Sequence, residues 1–117
     1  MSMIDELKEL GVNTEEALNR FMKNLALYER MLGKLPKAVE NTEVMQYLES
    51  GDLSNALANA HTLKGVTGNL SITPLYTAYS DICTFLRNDD GTEAKKILER
   101  TIPLQDKIIE IIKRYSE

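Results

Sequence analysis

The side chain best suited to chemistry in this chain is its one histidine, His61, which lies in the run AHTLKGVTGNL at positions 60–70. A metal site or a catalytic cluster would need further ligands or partners, whereas one imidazole is enough to carry one phosphoryl group. On a helix, the positions three, four and seven residues after His61 share its face, and they hold Lys64, Gly65 and Gly68. The run therefore predicts an imidazole flanked by one cation and two positions without side chains.

The two glycines are unfavourable in a helix, because each costs about 0.5 to 1 kcal/mol relative to alanine. Their simplest benefit is access, since the backbone of another protein can then approach the imidazole closely. The alternative is close packing by a neighbouring helix of the same domain. The apolar stripe of the helix argues against that alternative, because it lies to the side of the histidine face and leaves His61 exposed or half exposed. That stripe comprises Leu53, Ala56, Leu57, Ala60, Leu63, Thr67 and Leu70.

The same run resembles the phosphorylation motif of histidine-containing phosphotransfer (HPt) domains, the transfer modules of two-component phosphorelays. The resemblance rests on residues 60–65, on Gly68-Asn69-Leu70 and on the later Leu75. The stretch from Gly11 to Leu32 also resembles the N-terminal helices of the family. We therefore interpret residues 1–117 as a single HPt-like domain.

The resemblance implies a role for each residue of this face. His61 would be the phosphoacceptor, Lys64 would stabilise the phosphoryl oxygens, and Gly65 and Gly68 would admit a receiver domain. The implied function is a phosphorelay intermediate, which accepts a phosphoryl group on His61 from a receiver-domain aspartate and passes it to another response-regulator receiver. A hybrid histidine kinase is a further candidate partner, and the chain is also compatible with a segment of such a kinase.

The chain departs from the family pattern at two positions. Ser71 stands just after the motif, where the family commonly has a glycine, and a glycine there favours a left-handed cap at the end of the helix. Cys83 stands on the next helix where an acidic residue is common. Neither departure changes His61 or Lys64.

Charge predicts that the site is incomplete without a partner. A free imidazole titrates at about pH 6.5, so a neutral ring can attack with one nitrogen while the other keeps its proton. From Leu53 to Ser80, Lys64 is the only formally charged side chain when histidine is neutral.

No glycine-rich nucleotide loop is present, so we expect a phosphoryl carrier without kinase activity of its own. We expect no cofactor in the protein itself, and magnesium in the partner receiver domain.

Composition narrows the class of protein. A chain of 117 residues corresponds to one domain that can close its core alone, so we expect a monomer. The net charge of −4 disfavours nucleic acid and anionic membranes as partners. No signal peptide and no long apolar run is visible. The single Cys83 cannot form an internal disulfide, which favours a reducing, cytoplasmic location.

Periodicity and capping residues predict an all-α fold, specifically an antiparallel four-helix bundle with additional short N-terminal helices. Apolar positions continue in helical phase from Leu18 to Leu32, which predicts one helix there. Breaks are expected near Pro36 and at Asn41-Thr42, whereas the last helix keeps its phase across Pro103, which indicates a kink and not a stop. The predicted caps are Ser2, Asn13 or Thr14, Asp52, Thr73 and Thr92.

The surface around His61 is poor in long charged side chains, which is typical of a docking face. The docking residues predicted on it are Asn55, Ala58, Thr62 and Asn69.

Two other functions stay open. One is a non-catalytic helical adaptor that binds a signalling partner, with His61 incidental. The other is a thiol enzyme, since Cys83 falls at about the level of His61 if the helical hairpin is antiparallel, although a cysteine on an apolar stripe is usually a core residue.

Overall fold

Helices make up nearly all of the computed structural model, which describes residues 1–116, and no strand occurs in that range. The prediction of an all-α fold is confirmed. The helices are α1 (Met3–Glu9), α2 (Thr14–Arg20), α3 (Leu25–Leu32), α4 (Leu35–Glu40), α5 (Val44–Ser50), α6 (Leu53–Asn69), α7 (Thr73–Arg87) and α8 (Gly91–Tyr115). They form one body with principal extents of 41, 25 and 21 Å.

Three of the helices begin at the caps that the sequence predicts. The side-chain oxygens of Ser2, Asn13 and Asp52 accept the backbone N–H three residues later, at 3.1, 3.1 and 3.2 Å. Each bond satisfies an N–H that has no partner within the first turn. The cap at Asp52 fixes where α6 begins, and α6 is the helix that carries His61.

The two C-terminal helices begin earlier than the sequence predicts. Thr73 is the first residue of α7 and not its cap, which is Ile72 and makes no side-chain capping bond. At α8 the cap is Asp90, whose carboxylate accepts the N–H of Glu93 at 3.1 Å, so Thr92 already lies inside the helix. The carboxylate of Asp90 stands three residues before an unpaired N–H, which is the spacing that a cap requires.

The segment predicted as one helix up to Leu32 is two helices. The chain breaks after α2 because Met22 and Lys23 both adopt left-handed backbone, with φ of 57° and 60°. Asn24 then caps α3 by accepting the N–H of Leu27 at 3.0 Å. Apolar spacing did not reveal this break, since the apolar positions on both sides of it keep the spacing of one continuous helix.

The other predicted boundaries agree with the structure. Pro36 lies in the first turn of α4, and residues 41–43 separate α4 from α5. Helix α8 continues through Pro103 from Gly91 to Tyr115, as its unbroken apolar phase predicts.

The core is built around α6. This helix packs against α5 and α7, α7 packs against α8, and α8 also contacts α5 and α1. Small residues such as Ala56 and Ala60 are fully buried on α6 and let its neighbours approach closely. Of the predicted inward stripe, Leu53 and Leu57 are half-buried, and the remaining members are buried. Within residues 1–116, none of the helices is sufficiently long and apolar to cross a membrane.

Candidate functional site

His61 lies in the middle of α6, on its outer face, and its side chain is exposed. Lys64, one turn later, is half-buried. Within residues 1–116, neither side chain takes part in a hydrogen bond or an ion pair. The imidazole and the ammonium group are therefore both available to a ligand from outside, as the sequence predicts for His61.

A shallow groove of about 310 Å³ runs along this face of α6. Its lining consists of His61, Lys64, Gly65, Gly68, Asn69 and Tyr76. The first five residues were predicted from the sequence, and the structure brings them together at one place. The sixth, Tyr76, was not predicted, because it lies on α7 and only the packing of α7 on α6 carries it to the groove.

The two glycines of the groove have different surroundings. A Cβ added at Gly65 would meet no atom within 4 Å, so this position is open to solvent. A Cβ at Gly68 would lie 2.9 Å from Cδ1 and 3.1 Å from Cε1 of Tyr76. Gly68 therefore makes room for a side chain of the same domain, which is the alternative that the apolar pattern argued against. Gly65 has no such neighbour, so the backbone is open at this position.

The predicted docking residues fall into two groups. Asn69 lines the groove, whereas Asn55, Ala58 and Thr62 lie outside it as exposed residues nearer the start of α6. The Asn55 amide donates to the carboxylate of its own cap, Asp52, at 2.7 Å, and the Thr62 hydroxyl donates to the Ala58 carbonyl at 3.2 Å. These polar side chains are bonded within their own helix, which leaves a low and uncharged surface beside His61.

The end of α6, next to the groove, is held by the N-terminal helices. One guanidinium nitrogen of Arg20 donates to the carbonyls of Gly68 and Asn69, at 3.1 and 3.0 Å. A cation at this end interacts favourably with the unpaired carbonyls and with the helix dipole. The hydroxyl of the buried Tyr28 donates to the next carbonyl, that of Leu70, at 2.8 Å, and burial raises the pKa of Tyr28 to about 12.

Ser71 directly follows Leu70, the C-cap of α6, at the first position where the sequence departs from the HPt pattern that it resembles. It adopts the left-handed conformation, with φ of 55°, that a glycine would adopt at this position. For a residue with a Cβ, this backbone costs about 1 to 2 kcal/mol. Its buried hydroxyl accepts a bond from Arg20 at 2.7 Å and donates to the Glu16 carboxylate at 2.8 Å, which offsets that cost.

Cys83 has the surroundings of a core residue. Its side chain is completely buried, and burial raises the pKa of the thiol, with only a smaller opposing effect from the cations of Arg87 and Lys64. A thiolate is the nucleophilic form of cysteine, and this environment disfavours it. The structure therefore does not support the thiol-enzyme alternative.

Other features of the surface lack a comparable combination. A wider depression of about 560 Å³ on α8 is lined by charges of both signs, and its lining includes no histidine or cysteine. Its lining is Asp106, Ile109, Glu110, Lys113 and Arg114. In the described part of the chain, no three histidine, cysteine, aspartate or glutamate side chains come together as a metal-binding group. The groove at His61 is the place where a nucleophile, a cation and an open backbone meet.

Comparison of the chain with models of protein families, with curated proteins and with solved structures finds no match.

Proposed function

We propose that the protein is a phosphorelay intermediate, in which His61 accepts a phosphoryl group from the aspartate of a receiver domain and passes it to a second receiver. The observation that carries the proposal is the groove in which an exposed imidazole, an unpaired lysine and the open position Gly65 lie together. Residues that carry the motif resemblance also line this groove.

The proposed reaction is a displacement at phosphorus. The lone pair of one ring nitrogen of His61 forms the N–P bond while the P–O bond to the aspartate breaks, and its electron pair leaves with the carboxylate. The second ring nitrogen keeps its proton. Passing the group to another receiver aspartate is the same step in reverse.

Lys64 is proposed to stabilise the transferred group. A phosphoryl group carries between one and two negative charges near neutral pH, and an ammonium one helical turn away acts on it as a point charge. Lys64 has no acidic partner within residues 1–116, so no internal ion pair must break before it meets the phosphoryl oxygens.

The receiver is proposed to supply what the groove lacks. Magnesium and the acidic pocket that holds it would come from the receiver, which is one reason to expect transfer only in the complex. The partner is thus a receiver domain, free or within a hybrid histidine kinase. The reduced thiol Cys83 is compatible with the cytoplasm, which we propose as the location, with the protein as a monomer.

The finer architecture is part of the same proposal. The last four helices form a closed ring of contacts. Helix α5 contacts α6, α6 contacts α7, α7 contacts α8, and α8 returns to contact α5. This closure supports an antiparallel four-helix bundle that presents His61 on the outside of one member. A rigid bundle would fix the imidazole in position before the partner arrives.

The proposal is tested by mixing the protein with a panel of phosphorylated receiver domains and assaying acid-labile, base-stable phosphate on His61. We expect label on the unchanged protein, none on His61→Gln, and slower labelling of Lys64→Ala. Lys107→Ala, an exposed lysine of α8, is the matched control and should label at the normal rate. Labelling of His61→Gln would refute the proposal, and receiver binding without any label would favour the adaptor.

A further inference from the structure

Tyr76 forms the wall of the His61 groove that faces α7. Its ring lies against the bare backbone of Gly68, with Cδ1 and Cε1 at 2.9 and 3.1 Å from where a Cβ would stand. Even so, 40% of the residue is exposed. One part of the ring is therefore supported by α6, and the rest faces the space in front of the site.

Two of the five tyrosines, Tyr47 and Tyr76, have hydroxyls without a hydrogen bond within residues 1–116, and of these two only Tyr76 lines the groove. Tyr28, Tyr79 and Tyr115 donate their hydroxyls to acceptors within the chain. Within residues 1–116, the Tyr76 hydroxyl makes no hydrogen bond. A tyrosine with a supported ring and a free hydroxyl combines apolar contact area with one polar group, and such residues often dominate the energetics of protein interfaces.

The position of this ring costs the helix some stability. Gly68 is required only because the Tyr76 ring occupies the place of its side chain, and a glycine inside a helix costs about 0.5 to 1 kcal/mol. The helix gives up this stability so that the ring can lie against it. Gly68 thereby allows a large aromatic side chain to stay half exposed at the edge of the groove, where a protein that reaches His61 must contact it.

We propose that Tyr76 is the specificity-determining residue of the His61 face, because it contacts the incoming receiver domain and selects among receivers. This inference rests on the proposed phosphotransfer function. The receiver that fits offers an apolar hollow with a hydrogen-bond acceptor beside its phosphorylated aspartate. A receiver with a long charged side chain at that place is rejected, because the charge would lose its water against the aromatic ring.

The experiment measures kcat and KM for phosphoryl transfer from one cognate phosphorylated receiver, and from a second receiver that transfers more slowly. The variants are Tyr76→Ala, which removes the ring, and Tyr76→Phe, which removes only the hydroxyl. Tyr115→Ala is the matched control, because Tyr115 has nearly the same exposed fraction, 42%, and does not line the groove. Thermal unfolding of each variant verifies that it is folded.

For Tyr76→Ala we expect KM for the cognate receiver to rise about tenfold or more, as for other aromatic anchors, with kcat nearly unchanged. The preference for the cognate over the second receiver should fall, Tyr76→Phe should lie between, and Tyr115→Ala should behave as the unchanged protein. Transfer to the unchanged protein with no change of KM in Tyr76→Ala would overturn this inference alone. Failure of every receiver to label the unchanged protein would overturn the phosphotransfer function and this inference together.

Discussion

The different surroundings of Gly65 and Gly68 make substitution by alanine an informative pair of experiments. Both residues lie inside α6 and neither has positive φ, so alanine is favoured by the helix at both positions. At Gly65 the new methyl group meets nothing within 4 Å. The full gain of about 0.5 to 1 kcal/mol is therefore expected for Gly65→Ala.

For a domain of this size, that gain corresponds to a melting temperature about 2 to 4 °C higher. At Gly68 the same methyl group would lie 2.9 Å from the Tyr76 ring, and the ring must move away from α6. The displacement offsets the gain in helix propensity. We therefore expect Gly68→Ala to melt below Gly65→Ala, and at or below the unchanged protein.

The effect on function should be opposite to the effect on stability. If Gly65 is the opening through which a receiver reaches His61, a methyl group there overpacks the complex by about 1 kcal/mol or more. This penalty raises KM for transfer from a phosphorylated receiver by about fivefold or more. Gly65→Ala should thus be more stable and less active than the unchanged protein.

Thermal unfolding followed by circular dichroism and transfer kinetics on the same preparations are the two assays. A melting temperature that falls in Gly65→Ala would refute the argument that this position is open. A melting temperature that rises with KM unchanged would refute the argument that the opening serves the partner.

Three further outcomes follow from the geometry. Ser71→Ala should lower the free energy of unfolding, measured in urea, by about 1 to 2 kcal/mol, because it loses bonds to the partly exposed charges of Arg20 and Glu16. Ser71→Gly should be about 1 kcal/mol more stable than Ser71→Ala, because glycine adopts the left-handed backbone without strain. Equal stabilities of the two variants would contradict that strain. Cys83 should react slowly with iodoacetamide near neutral pH in the folded protein and rapidly in urea; rapid reaction in the folded protein would revive the thiol-enzyme alternative. The pKa of Tyr28 is raised to about 12 from 10.0, so the folded state holds this proton more tightly and its stability should be lost as pH rises from 10 towards 12. A phenolate that forms near pH 10 in the folded unchanged protein and is missing from Tyr28→Phe, in ultraviolet titration, would contradict this.

The candidate site could be predicted largely from the sequence because its main residues are neighbours on one helix. His61, Lys64, Gly65 and Asn69 lie within nine positions, and helical geometry alone places the first three on one face. The cap at Asp52 is equally local, since its bond spans only three residues. The boundary at Thr92 was wrong by two residues because Asp90 is a second capping side chain nearby, and the boundary at Thr73 was wrong by one because α7 begins without a side-chain cap.

Contacts between distant parts of the chain could not be predicted in this way. The bond from Arg20 to Ser71 joins residues 51 positions apart, and the apolar spacing conceals the left-handed turns at Met22 and Lys23 that separate α2 from α3. The space at Gly68 had two explanations in the sequence, and the choice required the position of Tyr76.

The sequence by itself determined the all-helical fold and the face on which His61, Lys64 and Gly65 occur together. The reason is that hydrophobic periodicity, caps and the spacing along one helix are properties of short segments. The tertiary structure decided that Tyr76 closes one side of the groove and that Arg20 holds the end of α6. Those contacts depend on how helices pack, because side chains far apart in the chain meet only after the apolar faces have been buried against one another.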